Sequence, residues 1–464
     1  LTFICIMIKA LTDFSHPFFI GVAGSGMSAL AQYLRGMGMF VSGSDRFFAE
    51  GGAADIRAKL EAEGIGCFVQ DGSGIGPATD LVVASTAVEE NVPELVRARQ
   101  AGIPVLRRSE LLALITASKR TIAVGGTSGK STTTAMLFQI LEQAGLQPGI
   151  ISGAGLTALV RQGKIGNAVV GKGEWLVIEA DESDGSIVQY RPEIGLLLNV
   201  DKDHQEIGEL MGLFRTFRSN SRRFISNHSQ SLARELSLDG GADFSCEPDD
   251  PAGFHASGFE QEGFLIRFLV NGTPFELQAA GRHNMENALA ATAAAAAAGV
   301  PVETAARALR SYEGIYRRHQ VFGQKHGVWL VDDYAHNPVK CAAAIRACQP
   351  VSPKVIAWFQ PHGYKPTRFL RDDFVHEFSA ALRENDAIWM SEIFYAGGSA
   401  VKDISSEDLI QDIRASGRQA YFVADRDRFL ETVRPHLTSG TVLLLMGARD
   451  PSLEEFARSV WDAL

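Results

Sequence analysis

The chain has 464 residues, 46% of them hydrophobic and 21% charged, with a formal net charge of −10. That length exceeds what one hydrophobic core organises, so about two to four domains are expected. The acidic balance excludes nucleic acid as a partner, because such binders need a basic surface, and no run reaches the roughly 18 apolar residues that insertion in a membrane requires.

The five cysteines, Cys5, Cys67, Cys246, Cys341 and Cys348, are scattered without metal-ligand spacing. They fit a reducing cytoplasm better than a disulfide framework, which gives a cytoplasmic expectation. Residues 1–10 are apolar but lack a basic leader and a small-residue cleavage site, and Met7 would serve as a start.

Residues 18–21 read as a short strand leading into Gly24-Ser25-Gly26-Met27-Ser28-Ala29, and then an apolar-periodic helix over 29–37. This G-x-G-x-x-A pattern permits close backbone approach to a diphosphate. The next strand, 41–44, ends at Asp45, about 20 residues on, where a ribose-binding acid is expected; a cap on the following segment is the plainer role. Alternation continues with helix 55–63, strand 67–70, and strand 81–84 ending in Ser85-Thr86. Helix 93–101, strand 104–106 and helix 109–116 follow, the last with Ser109 as its expected N-cap. Such β-α repeats imply a parallel doubly wound sheet with ligands at the carboxyl ends of its strands.

A second sheet begins at residues 121–124 and delivers Gly126-Thr127-Ser128-Gly129-Lys130-Ser131-Thr132 to the start of a helix over 131–144. Val124 stands where the strict phosphate-loop pattern has its first glycine, so this is a shortened form. Backbone amides and a helix N-terminus attract phosphate, Lys130 supplies a cation, and the Ser131 hydroxyl can ligate Mg²⁺. Strand 175–179 delivers Ala180-Asp-Glu-Ser-Asp184, and strand 194–199 delivers Val200-Asp-Lys-Asp-His204. Acids and a histidine dropped beside a phosphate loop suit Mg²⁺, although such clusters also occur as solvated turns. Residues 232–278 carry short alternating runs expected as antiparallel strands. Residues 281–299 open with His283-Asn284 and Asn287 and continue as an alanine-rich helix that lets neighbours approach closely.

A third open sheet is expected from strands 329–331, 355–359, 387–390, 420–423 and 441–445. They lead respectively into Asp332-Asp-Tyr-Ala-His336, Gln360-Pro-His-Gly-Tyr364, Ser391-Glu-Ile-Phe-Tyr395, an unremarked turn, and Met446-Gly-Ala-Arg-Asp450.

This ordered series resembles the Mur ligases, and within them the branch that adds L-alanine to UDP-N-acetylmuramate. The resemblance spans essentially the whole chain, through Gly24–Ser28, Asp45, Ser85-Thr-Ala87, Gly126–Ser131, Glu179–Asp184, Asp203-His204, His283-Asn284, Arg317-Arg318, Asp332–His336, Phe359–His362 and Met446–Ala448. It implies an α/β protein of three domains: a Rossmann-like UDP-sugar domain (1–118), a central phosphate-loop ATP domain (119–312) and a Rossmann-like amino-acid domain (313–464). It further implies that ATP phosphorylates the lactyl carboxylate and that an amine attacks the acyl phosphate, with the third domain closing to exclude water.

By matching position, Glu182 and His204 resemble metal ligands, with Ser131 on the ATP-side Mg²⁺; Lys130, Glu182, His204 and Arg318 form the catalytic set. Asn287 and Asp333 correspond to adenine and ribose contacts, and Arg318 to a phosphate contact. Gly24, Ser25, Gly26, Met27, Ser28, Asp45, Ser85 and Thr86 form the UDP-sugar set, and Tyr334 and His336 lie at the amino-acid site. Four departures stand out. Ser128 replaces His or Asn, and Ser131 replaces Thr. His319 stands where an aromatic residue is usual. Gly363 and Pro366 replace two arginines resembling carboxylate-binding groups, leaving Lys365 and Arg368 as the nearest substitutes, although lysine does not reproduce an arginine fork. No lysine lies between Lys202 and Lys325, so a carbamylated lysine is unavailable there. The same chemistry on another amino acid or a murein peptide is the alternative. A silent nucleotide-binding relative would require a decayed loop, and a nicotinamide oxidoreductase would leave that loop unexplained.

Overall fold

Strand β1 (Pro17–Ile20) and strand β4 (Leu81–Ala84) are buried at every position, so the chain can write them as uninterrupted apolar runs. With β2 (Ser42–Asp45), β3 (Gly66–Val69) and β5 (Val105–Arg107) they form a five-stranded sheet of order β3-β2-β1-β4-β5, parallel throughout. The chain winds outward from β1 to β3 and returns to β4 on the other side. The cleft beside β1 is therefore the switch point where such sheets take ligands. The computed structural model describes residues 8–49, 53–86, 88–201, 206–395, 401–450 and 452–464. Cys5, Met7, Ala87, Asp203 and His204 lie outside the described residues.

The second sheet is built from β6 (Arg120–Gly125), β7 (Gly149–Ile151), β8 (Ala168–Val169), β9 (Trp175–Glu179), β10 (Ile194–Leu197) and β11 (Arg223–Ser226). Its order is β11-β10-β6-β9-β7-β8, with only β8 antiparallel to its neighbour. β6 is thus flanked by the two strands that carry the acidic turns. One hydrophobic core serves both sheets, running from Phe19, Leu30 and Leu34 through Leu111 and Ile115 to Ile178, Phe214 and Phe217. A third sheet, β12 (Phe244–Ser245), β13 (Phe254–Glu262), β14 (Leu265–Val270) and β15 (Thr273–Leu277), keeps that order. β12 pairs parallel with β13, against the antiparallel expectation for residues 232–278, while the short links from β13 to β15 require antiparallel pairing there.

The chain packs as two units. One comprises Leu1–Glu260, Arg267–Gln278 and Arg282–Ile315; the other comprises Gln261–Ile266, Ala279–Gly281 and Tyr316–Leu464. The second unit contains β16 (Gln320–Lys325), β17 (Val328–Asp333), β18 (Lys354–Gln360), β19 (Ala387–Met390), β20 (Gln419–Phe422) and β21 (Thr441–Gly447), ordered β16-β17-β21-β18-β19-β20. All pairs but β16–β17 are parallel. Side chains of β18 alternate between two cores: Val355, Ala357 and Phe359 enter one, Ile356 and Trp358 the other. Among the described residues no helix is long and apolar enough to cross a membrane.

Several expectations shift. The first helix is Ser25–Gly36, four residues earlier than its apolar period indicates, because extended Gly24 serves as N-cap and Ser25–Ser28 form the first turn. Ser109 is not an N-cap: the Arg108–Ala117 helix starts before it, and the Glu110 carboxylate accepts the Arg107 N–H at 2.7 Å. β17 extends to Asp333, so both aspartates belong to the strand. β7, β8, β11 and β16 are additions to the expected set.

Candidate functional site

The loop after β6 is shaped by two glycines that no other residue could replace without strain. Gly126 has φ +135° and Gly129 φ +82°. A Cβ on Gly129 would lie 2.5 Å from Asn287 Oδ1, and one on Gly126 3.1 Å from the Asn199 amide nitrogen. The loop opens into helix Lys130–Gln143, whose N-terminal amides and dipole favour an anion. The alanine-rich helix Arg282–Ala297 packs against it, and Asn287 accepts a hydrogen bond from Thr133 Oγ1 at 3.2 Å. Small side chains allow that approach, as the sequence indicates.

Strands β9 and β10 hold this loop from either side. Asn199, two residues past β10, accepts from Thr127 Oγ1 and the Ser128 N–H, each at 2.8 Å, and donates to the Ser128 carbonyl at 3.1 Å. The Asp201 N–H donates to Thr127 Oγ1 at 3.0 Å. On the other side, Lys130 Nζ donates to the Gly126 carbonyl at 2.7 Å and to Glu182 at 2.7 and 3.0 Å. Glu182 is only 4% exposed. Burial raises its pKa, against the attraction of Lys130 that lowers it. Glu179 accepts from Ser131 Oγ at 3.0 Å and from Ser152 Oγ at 2.6 Å. Gly126, Thr127, Ser128, Gly129, Lys130, Ser131, Thr132, Glu182 and Asn287 are therefore one neighbourhood. Asn199 and Glu179 belong to it without having been assigned a role from sequence. Their signal was available: each is a polar residue at the carboxyl end of a strand flanking β6.

Gly24, Ser25, Gly26, Met27, Ser28, Asp45, Ser85 and Thr86 all fall at the carboxyl ends of β1, β2 and β4. Asp45 is buried, accepting from Ala23 N–H and Phe47 N–H, both at 3.0 Å. It thus caps the next turn and also fixes the glycine loop. Arg108 joins this group: a Cβ on Gly26 would lie 3.2 Å from Arg108 Cδ, and its guanidinium donates to Asp184 at 2.8 Å. This cation beside the diphosphate-type turn has no motif to announce it.

In the second unit the paired arginines divide. Arg317 is buried, bound to Asp332 at 2.8 Å and to the Gly447 carbonyl at 2.9 Å. Arg318 is exposed, with its guanidinium 5.3 Å from the Tyr334 ring centre. Arg317 and His319 both have positive φ, +54° and +50°. The Asp333 carboxylate holds that turn by accepting the His319 N–H at 2.6 Å and the Ala335 N–H at 2.7 Å. His319 fills an aromatic position in fact, 6.1 Å from the Phe264 ring, and burial depresses its pKa to about 4.

His336 and His362 stand 5.6 Å apart at the ends of β17 and β18. Burial lowers both pKa values, His362 to about 4, where nearby His336 and Arg449 add to the effect. Both imidazoles are neutral near pH 7 and can take up a proton. Of the substitute cations, Arg368 is bound to Asp403, while Lys365 is exposed. Lys402, unassigned from sequence, lies 5.8 Å from the Tyr364 ring and 5.4 Å from the Tyr395 ring.

Three family models match in chain order. The Mur ligase family catalytic domain matches residues 17–120, the Mur ligase middle domain 124–295 and the Mur ligase glutamate ligase domain 317–449. The chain is 34% identical to the UDP-N-acetylmuramate–L-alanine ligase of Pelotomaculum thermopropionicum, over 94% of this chain and 95% of that protein. It is 35% identical to the enzyme of the same name from Bdellovibrio bacteriovorus, over 93% and 95%. The fold matches the crystal structure of UDP-N-acetylmuramate-alanine ligase from Thermotoga maritima with a TM-score of 0.80 at 24% identity, over 97% and 98% of the two chains. A murein peptide ligase from Psychrobacter arcticus matches with a TM-score of 0.67 at 22% identity, over the same shares.

Proposed function

The chain belongs to the Mur ligase family, and on that premise we propose that it joins L-alanine to the lactyl carboxylate of UDP-N-acetylmuramate at the expense of ATP. The product is a peptidoglycan precursor. The observation that carries this reading is the intact phosphate loop, with Lys130 bound to Glu182 at 2.7 Å and Asn199 holding Thr127 and Ser128. A silent relative would not need that arrangement.

The donor set fits Mg²⁺: Ser131 and the buried carboxylate of Glu182 offer hard oxygen ligands beside a helix N-terminus. We assign them, with His204, to the metal, which neutralises charge on the transferring phosphoryl group when bound. Lys130 holds the outer phosphates, and the loop amides orient them for in-line attack by the lactyl carboxylate. ADP leaves and an acyl phosphate forms. The amine then attacks its carbonyl carbon, phosphate departs, and the nitrogen gives up a proton. His336, kept neutral by burial, is the group we assign to receive that proton. Asn287 is assigned to adenine, Asp333 to ribose and Arg318 to phosphate. The Gly24–Ser28 turn, Asp45, Ser85 and Thr86 are assigned to the UDP-sugar, with Arg108 added for the diphosphate. We divide these roles among residues 1–118, 119–312 and 313–464. A cytoplasmic location agrees with the free thiols of Cys67, Cys246, Cys341 and Cys348.

One observation favours a second nucleophile. Gly363 and Pro366 offer no cation, Arg368 is engaged by Asp403, and Lys402 rests on Tyr364 and Tyr395. A lysine binds a carboxylate without a fork's geometric demand, which suits a peptide as well as alanine. Acceptor-dependent ADP release with a panel of amino acids and murein peptides separates the two. Release with a peptide and none with alanine would overturn the alanine assignment.

A further inference from the structure

The ligase reading leaves the carboxylate of the incoming amine without an arginine, since Gly363 and Pro366 carry no charge and Arg368 is engaged by Asp403. We propose that Arg449, in the turn after β21, is the specificity-determining residue that binds this carboxylate. The proposal rests on the ligase reading for the identity of the amine.

Sheet order puts Arg449 in position. β21 lies between β17 and β18 and runs parallel to both, so the three strands end at one edge. Asp333 pairs with Met446 and Gln360 with Gly447, which sets the turns beyond them side by side. Those turns carry His336, Arg449 and His362. Burial is the main cause of the lowered pKa of both histidines, and the charge of Arg449 adds to it at each ring. His336 Nδ1 donates to the Tyr334 carbonyl at 2.9 Å, which leaves Nε2 as the basic atom of that ring. A cation beside neutral imidazoles complements an amino acid. The guanidinium takes the carboxylate, and the basic nitrogen takes the proton that the amine gives up.

Backbone geometry singles the same residue out. Arg449 has φ +64°, in the left-handed region that L side chains rarely adopt. The Asp450 N–H donates to the Ala448 carbonyl at 2.9 Å, closing a three-residue turn on Arg449. With positive φ this is the rare, strained form of the γ-turn, and glycine would occupy it freely. The turn is anchored on both sides. The Gly447 carbonyl accepts from Arg317 Nη2 at 2.9 Å, and Asp450 Oδ2 accepts from Arg426 Nη1 at 2.6 Å. Arg426 also donates to Gln360 Oε1 at 3.1 Å and to Ser452 Oγ at 2.8 Å. Ala448 is 1% exposed and Asp450 6%, yet Arg449 between them is exposed. With Asp450 taken by Arg426, Arg449 has no ion-pair partner among the described residues. Strain of this kind persists only where the surroundings over-determine it, and it gathers at functional sites.

The rival cation is Lys402, which rests on Tyr364 and Tyr395. An arginine fork grips both carboxylate oxygens and so orients the amine, whereas lysine is a point charge on a flexible stem. A turn that cannot relax also fixes where the fork stands.

The test uses two amines that differ only in the carboxylate, L-alanine and L-alaninamide. Acceptor-dependent ADP release is measured in the full chain with ATP, Mg²⁺ and UDP-N-acetylmuramate. The preference, kcat/KM for L-alanine over that for L-alaninamide, should fall about tenfold or more in Arg449→Gly. Comparing variants by this ratio removes the amines' own difference in basicity. The loss should lie in KM for L-alanine, with KM for ATP unchanged. Arg449→Lys keeps the charge without the fork and should recover part of the preference. Arg449→Gly should melt at the wild-type temperature or higher, because glycine relieves the strain. His326→Gly relieves a similar strain, φ +50°, in the link between β16 and β17, and should keep the wild-type preference. A preference unchanged in Arg449→Gly, with or without a fall in Lys402→Ala, overturns the proposal. So does an equal fall in His326→Gly, or a lower melting temperature in Arg449→Gly with both amines slowed alike. In each of these cases the wild type is active, whereas a wild type that releases no ADP with either amine overturns the ligase reading itself.

Discussion

Replacing Gly129 by alanine strikes the phosphate loop at its tightest point. Gly129 sits at φ +82°, where a Cβ costs about 1–2 kcal/mol in backbone energy. The new methyl would also stand 2.5 Å from Asn287 Oδ1 and 3.4 Å from Leu198 Cδ1. Asn287 is buried on a helix of packed alanines, so the clash is relieved by turning its side chain or moving the loop. Turning it forfeits the Thr133 hydrogen bond, worth about 1 kcal/mol. If the loop relaxes to relieve this, the sum, about 2–3 kcal/mol, must be restored when ATP binds and corresponds to a loss of roughly 30- to 150-fold in kcat/KM for ATP. Gly145 supplies the control: it has φ +77° but nothing within 4 Å of its ideal Cβ. Gly145→Ala should carry the backbone strain alone and leave ATP kinetics unchanged. Steady-state kinetics at saturating acceptor, with a thermal melt of each variant, read both effects. If Gly129→Ala keeps its ATP efficiency within threefold, or Gly145→Ala loses as much, the steric account is refuted.

The paired arginines should part company under mutation. Arg317→Ala leaves the buried carboxylate of Asp332 without its guanidinium and should destabilise the second unit by about 3–5 kcal/mol, whereas Arg318→Ala should leave the melting curve unchanged and reduce turnover. His319 makes that unit acid-sensitive. Its folded pKa of about 4 lies below the ordinary 6.5, so the unfolded chain binds the extra proton and stability falls as pH drops from 6.5 towards 4. The full loss is about 3 kcal/mol, and His319→Phe should flatten the acid limb of the denaturation profile. Arg108→Ala should raise KM for the UDP-acceptor about tenfold with little change in KM for ATP, and Arg108→Lys should recover part of that loss, as initial-rate kinetics will show.

The phosphate loop was legible because its chemistry is local: glycines, a lysine and a hydroxyl within one turn of a helix. The alternating β-α pattern likewise revealed most strands, since buried parallel strands are written as short apolar runs. What stayed hidden depends on distant partners. Asn167 meets Ser25 across 142 residues, so that contact has no sequence signature, whereas Glu179, 48 residues from Ser131, is marked only by its place at a strand's carboxyl end. The division between Arg317 and Arg318 is equally invisible, because adjacent residues differ only in which way the strained turn directs them. β16 was missed because its residues are half-buried and do not alternate. The departures at Gly363 and Pro366, by contrast, were plain in the sequence. The structure adds Lys402 as a cation nearby and the engagement of Arg368 by Asp403.

The central claim is tested most directly by ADP release from the purified chain with ATP, Mg²⁺, UDP-N-acetylmuramate and L-alanine. The account predicts one ADP for each amide formed, no release when either acceptor or amine is omitted, and loss of turnover in Lys130→Ala. Release that ignores the UDP-acceptor, or undiminished turnover in Lys130→Ala, would contradict it.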